Sequence, residues 1–522
     1  AARSCAPRAS RQMLALLLAA PSLALLPRHS KFSCSRSPAV ASRAPPLVAQ
    51  EGRLRQALQG SDEIDGEIMG MALPSIANFA VIPLVGAVDT MWVGRMGSAL
   101  ALAGQGAAGQ CFFSTYFLIA FIPTITAPLV AAAAGSGDID GACKRVCEAL
   151  FLANALGVLG TLLLVLRPEA VLSLVLPAGA PATAEAVRYL RLRSLSLVPA
   201  LVSSIGFAAF RGMLDTVTPL KVSLASNALN LVLDPILIFS ANMGVAGAAL
   251  ATAISEVGAG LLYGRLLLRR KLLRLRALLQ PPRPRDLLPL LAGGSAMLLR
   301  QVALNVAFIA ATRMTQAMDT TGVSAAAYAI TNQFYSLGLV VMLAMQATGA
   351  TLVPAALSRP GGGEAAARRT ADRLIVWSSG IALSLAAVQL LASRLLTPCL
   401  TPLTEVQRAV AAPALVAAIV QCTNGPLFAG EGILMGVGAF GYLAGLTCVG
   451  VVVMLGGLLA SARLGLGVSS VWFSLLGFHV VQLTGAMYHH LRLSPLARES
   501  AGAAGAGAAG AVNCVDVPLV GE

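Results

Sequence analysis

From Glu67 to about residue 492 the chain alternates long apolar runs with short polar breaks. The runs are about 20 residues long, the length at which an α-helix crosses a bilayer core. Twelve spans are predicted, centred near residues 79, 122, 156, 200, 229, 256, 300, 340, 384, 418, 450 and 480. The breaks differ in charge. GSGDIDGACKR (135–145), the turn from Arg211 to Lys221 and RLLLRRKLLRLRALLQPPRPRD (265–286) are basic, and they alternate with nearly charge-free breaks such as SANMG (240–244). Lys and Arg gather in loops that are not translocated, so both termini and the central linker are expected on the cytoplasmic or stromal side.

The linker carries eight Arg and Lys residues between Arg265 and Arg285 and the breaker PPRP. It divides the spans into two bundles of six: an N-lobe at 67–270 and a C-lobe at 287–492, joined by 271–286. The bundles resemble each other at a shift of 220. FRGMLDTV (210–217) aligns with GEGILMGV (430–437), and one residue further on GVAGAAL from Gly244 falls against GLGVSSV from Gly465. Six spans is an even number, so both bundles enter from the same side and are related by a pseudo-two-fold axis along the membrane normal. The expected fold is all-α and polytopic, with about twelve transmembrane helices in two six-helix lobes.

Within the spans, polar residues are sparse and patterned. Ser223, Asn227, Asn230 and Asp234 stand four, three and four apart, so a helix lines them along one face. A carboxylate at mid-membrane costs roughly 2.5–3.5 kcal/mol on insertion scales, so it faces protein or a wet cavity. The other span carboxylates are Asp89 at the end of the first span and Glu256 in the sixth, where Thr252 shares its face. All three acids lie in the first bundle; Met454 stands at the shifted position of Asp234 and Ile309 at that of Asp89. The first and fifth spans run in the same direction, which places Asp89 and Asp234 in the same outer half, where they can share a proton or a cation. The second bundle offers Arg300, Gln301, Asn305, Asn332, Gln421 and Asn424, which with Asn78 and Glu256 are candidates for lining a substrate cavity. Arg300, near a span centre, calls for either a partner or an anionic ligand.

Composition agrees with a membrane protein: 57% hydrophobic, 11% charged, mean hydropathy +0.78. The net charge of +14 therefore speaks of loop placement and not of nucleic acid. Nine cysteines show no CxxC or Cys/His spacing, so neither a disulfide framework nor a metal site is implied, and only His479 of the four histidines lies in a predicted span. No nucleophile or His/Asp/Glu cluster suggests an enzyme. Residues 1–60 are basic before Glu51, with a short apolar core at Met13–Leu26, and read as a two-part plastid address. The chain does not open on Met, so its natural start is expected upstream. The tail, 493–522, is low-complexity.

VDTMWVG (88–94), FRGMLDTVTPL (210–220), NALNLVLDPILIF (227–239) and GVAGAALATAIS (244–255) together resemble the multidrug and toxic compound extrusion (MATE) transporters, in the DinF-like branch that includes plant plastid-envelope members. The resemblance runs from about 67 to 492. It implies alternating access and antiport of a small organic solute against protons or sodium, without a cofactor and as a monomer. It also implies a first-lobe cation site on Asp89, Asn230, Asp234 and Thr252. In the tenth helix Glu431 keeps one acidic position of plant relatives, while Ala439 stands where another is usual. The alternative within the same superfamily is a lipid-linked precursor flippase.

Overall fold

A computed structural model describes residues 62–96, 99–173, 175–176, 182–274, 282, 284–318, 323–400 and 404–497. The expected targeting segment (1–60), most of the linker and the tail beyond 497 lie outside the described residues. Among those described there is no strand. The first lobe comprises α1 (Asp62–Gly94), α2 (Ala99–Ile119), α3 (Phe121–Gly135), α4 (Ile139–Leu166), the short α5 (Pro168–Leu172), α6 (Thr183–Ser194), α7 (Leu197–Gly212), α8 (Val217–Pro235) and α9 (Val245–Arg269). The second comprises α10 (Pro284–Ala317), α11 (Val323–Ser358), α12 (Glu364–Leu400), α13 (Thr404–Gly436), α14 (Phe440–Leu464) and α15 (Ser469–Tyr488).

These segments follow the twelve expected spans in order, with α2 and α3 forming the second and α6 and α7 the fourth. By length and hydropathy the count is lower. Among the described residues ten helices can cross a membrane, or eleven when α6 and α7, bent by 50°, are taken as one broken span. The difference lies in the fourth span, whose halves α6 (12 residues) and α7 (16 residues) are each too short to cross alone, and in α1, which is not among those helices. A second correction concerns the last span. It runs on through a π-helical turn to Leu493, so His489 and His490 join His479 inside the fold, and His490 Nε2 pairs with Asp372 at 2.7 Å.

The internal repeat is carried by packing. A methyl group on Gly212 would meet the Ala127 carbonyl oxygen and Val130 at 2.8 Å, and one on Gly432 would meet the Gln346 carbonyl oxygen at 2.4 Å. Matched glycines thus let α7 close on α3 in one lobe and α13 on α11 in the other. Gly244 and Gly465, the second matched pair, both take positive φ (60° and 63°) at the turns that follow the fifth and eleventh spans.

The lobes meet where α11 lies against α3 and α1, and α10 against α3. The first half of α1 is buried mostly in the second lobe: Ile68, Met71 and Ala72 pack with Met342 and Met345 of α11, Leu374 of α12 and Phe428 of α13. Its acidic start is tied there too. Arg373 donates two bonds to Asp65 at 2.5 and 2.8 Å, Trp377 Nε1 donates to Asp65 at 2.7 Å, and Arg359 donates to Glu67 at 3.1 Å. Leu, Val and Ile side chains such as Leu162, Val232, Leu261, Leu383, Val388, Val452 and Leu459 face outward, as a lipid-facing surface requires.

Candidate functional site

The predicted polar stripe on α8 divides into two parts. Nearer the start, the Asn227 amide donates to the Ser223 carbonyl at 2.8 Å, which satisfies it locally. A turn later, Asn230 and Asp234 are 2% and 0% exposed, with the Asn230 amide only 3.5 Å from Asp234 Oδ1. Pro235 follows at once. It cannot donate to the carbonyl four residues back, and the helix widens into a π turn over Ile236–Ser240.

The carboxyl groups of Asp89 and Asp234 face each other within hydrogen-bond reach, so α1 and α8 bring together the two acids that the parallel-span argument paired. Three buried oxygens at this point lack any hydrogen-bond partner: Oδ1 of Asp89, Oδ2 of Asp234 and Oδ1 of Asn230. All three are acceptors, so an electron-poor guest such as a proton or a hard cation answers them. Thr252, the fourth expected member, half-buried on α9, donates its hydroxyl to the Ala248 carbonyl at 3.0 Å, which leaves its oxygen lone pairs free.

Two further ion pairs lie inside the lobes. Glu256 on α9 is bound by Arg193 of α6 through a fork of 2.5 and 2.7 Å, and Arg193 stacks over the Phe112 ring at 3.8 Å. Arg193 escaped the sequence reading because RYLRLRS looks like a basic loop edge and its partner is distant in the chain. In the second lobe Arg300 has found its partner in Glu431, at 2.6 Å, and Glu431 also accepts from Gln346 at 2.5 Å and Gln482 at 3.4 Å. A lone cation and a lone acid in second-lobe spans were the available signal for this pair.

The other cavity candidates are dispersed. Gln421 and Asn424 are fully buried and bonded to each other at 2.8 Å, with Tyr335 against Asn424 at 3.3 Å. Asn78 is buried with its side-chain oxygen unpartnered. Asn305 is exposed and bonds back to the Gln301 carbonyl, and Asn332 is half-buried. No group of three His, Cys, Asp or Glu arranged to hold a metal ion occurs among the described residues.

Residues 74–236 match the MatE family. Protein DETOXIFICATION 44, chloroplastic, of Arabidopsis thaliana is 36% identical over 207 residues, which is 38% of this chain and 40% of the relative. DNA damage-inducible protein F of Escherichia coli is 34% identical over 215 residues, 41% of this chain and 46% of the relative. Both alignments span under half of the relatives they match. Protein DETOXIFICATION 45, chloroplastic, of Arabidopsis thaliana aligns over 445 residues at 29% identity, 79% of this chain and 76% of the relative. In fold, a crystal structure of MATE in complex with MaL6 superposes with a TM-score of 0.75 at 22% identity, covering 84% of this chain and 98% of that one. In its helix order, in the MatE match over 74–236 and in these relatives, the chain is similar to MATE proteins.

Proposed function

We propose that the protein is a secondary active antiporter of the plastid envelope, exporting a small organic solute in exchange for protons or sodium by alternating access. The observation that carries this reading is the set of three unpartnered buried acceptor oxygens on Asp89, Asn230 and Asp234. Two carboxyl groups in contact inside a membrane repel unless something positive lies between them. A proton or a sodium ion fills that role, with Thr252 as a further oxygen, and arrival or departure of the ion changes which arrangement of the lobes is favoured. The names of two relatives, chloroplastic DETOXIFICATION proteins, agree with efflux and with a plastid membrane. The flippase alternative calls for a strongly cationic cavity, whereas Arg193 and Arg300 are both neutralised by glutamates.

The test is transport by protein reconstituted in liposomes under an imposed pH or sodium gradient, with a panel of aromatic acids, citrate-like anions and organic cations. Asp234→Asn is expected to abolish gradient-driven exchange. Unchanged exchange in that variant refutes the ion site.

A further inference from the structure

The first lobe holds a charged pair that the ion site described above does not use. Arg193 is the penultimate residue of α6, at the 50° break before α7. Breaking a helix frees backbone groups, and here they are answered: Thr161 of α4 donates to the Ser194 carbonyl at 3.2 Å and the Ser196 hydroxyl donates to the Arg193 carbonyl at 2.8 Å. The break thereby holds Arg193 with its guanidinium turned inward onto Glu256, Phe112 and the Ser196 hydroxyl. The side chains of Arg193 and Glu256 are 12% and 26% exposed. Glu256 stands one turn beyond Thr252 on the same face of α9, and both charges lie within electrostatic reach of Asp89. A buried, forked ion pair stabilises a fold weakly at best, because desolvation offsets most of the attraction. Its position beside Asp89 therefore asks for another explanation.

We propose that Arg193 and Glu256 are positioning residues of the ion site: Arg193 is a tethered counter-cation whose pull on the Asp89–Asp234 pair sets the affinity for the coupling ion, and Glu256 holds it off those acids. This rests on the reading of Asp89 and Asp234 as the ion site. The charged and titratable groups facing Arg193 are Asp89 from α1, Tyr189 from α6 itself and Glu256 from α9, and Tyr116 from α2 faces Glu256. The neighbouring α4 presents the Thr161 hydroxyl and α7 the hydroxyls of Ser196 and Ser204, the last bonded to Tyr116. With Arg193 the only cation among these charges, removing it makes the acids bind a positive guest more tightly. Removing Glu256 releases the guanidinium toward Asp89 and makes them bind it less tightly.

Trp92 reports on the site, three residues beyond Asp89 and edge-on to Phe239 at 6.2 Å. The full chain in lipid nanodiscs is titrated with pH and, at fixed pH, with NaCl, and the Trp92 signal is obtained by subtracting the Trp92→Phe protein. Arg193→Gln is expected to lower the half-saturating proton or sodium concentration on the order of tenfold, and Glu256→Gln to raise it on the order of tenfold. The double variant returns to within a few-fold of the starting protein. Arg193→Lys keeps the charge but not the fork, so its midpoint shifts in the same direction as that of Glu256→Gln. Midpoints of Arg193→Gln and Glu256→Gln that stay in place, or that move in the same direction as each other, overturn the proposal. Where the single glutamine variants do not fold, an unshifted midpoint in Arg193→Lys overturns it alone. Asp234→Asn in the same titration separates the two readings. If it keeps the response, the ion site itself is wrong; if it loses the response while the Arg193 and Glu256 variants titrate unchanged, only the counter-cation proposal falls.

Discussion

Glu431 is 2% exposed and is surrounded by donors: Arg300, Gln346 and Gln482, the last also bonded to Thr447 at 2.9 Å. Removing one partner of such a pair leaves an uncompensated charge in a water-poor interior, at a cost of about 3–5 kcal/mol. Glu431→Gln with Arg300 intact is therefore expected to lower the thermal unfolding midpoint in detergent clearly, while Arg300→Met with Glu431→Leu recovers most of the loss. Equal midpoints for the single and double variants would show that the pair is wetter than its burial indicates. The same residues show what a single sequence reveals. Asn230 and Asp234 were legible because both lie on one helix, where spacing fixes the shared face. Asp89 was legible as a partner from span direction. Arg193 with Glu256 was not, because 63 residues and a helix break separate them and no local period links two helices that meet in space.

At the level of elements, hydrophobic runs predicted almost every span, since burial in lipid leaves few other sequence solutions. What they missed were places where backbone geometry departs from the ideal. The α6–α7 break divides its span into two helices that are each too short to cross alone, and the π turn after Asp234 follows one proline. Turn chemistry is also uneven. Gly438 and Gly465 supply positive φ at second-lobe turns, but Leu214 and Lys271 adopt it as ordinary side-chain residues (61° and 59°). Lys271 stands just past α9, where a left-handed residue ends a helix and glycine is favoured. Left-handed backbone costs a non-glycine residue roughly 1–2 kcal/mol, so Lys271→Gly is expected to stabilise the protein by about 1 kcal/mol. A rise in the unfolding midpoint checks this; a fall would mean that the lysine has compensating contacts.

In the whole molecule the lobes are not symmetric in how they are held, because α1 belongs by sequence to the first and by its opening half to the second. The Asp65–Arg373 fork, the Trp377 bond and the Glu67–Arg359 pair fasten that end. Any cycle that parts the lobes at this end has to break them. Charge-assisted bonds contribute roughly 1.5–3 kcal/mol each, so Asp65→Asn with Arg373→Gln is expected to raise the population of the parted state at least about tenfold. The rate at which a maleimide labels a cysteine placed at Met69 measures it, and an unchanged rate would remove the fastening role. Arg373 and Trp377 were unremarkable in the sequence, since an inter-lobe contact has no local signature.

The placement of α1 also bears on how the protein is made. Its opening half finds Met342, Leu374 and Phe428 only after α11 to α13 have been synthesised. At about 5–20 residues per second the roughly 350 residues between Ala72 and Phe428 take about 18–70 s. In the later part of that interval the first helix has a finished neighbour in α8, but throughout it there is no seat for Asp65, Glu67, Ile68 and Met71. Insertion of the chain is thus sequential while its assembly is not, and a nascent protein stopped after α9 would carry an exposed, acid-tipped helix for membrane chaperones and proteases to find.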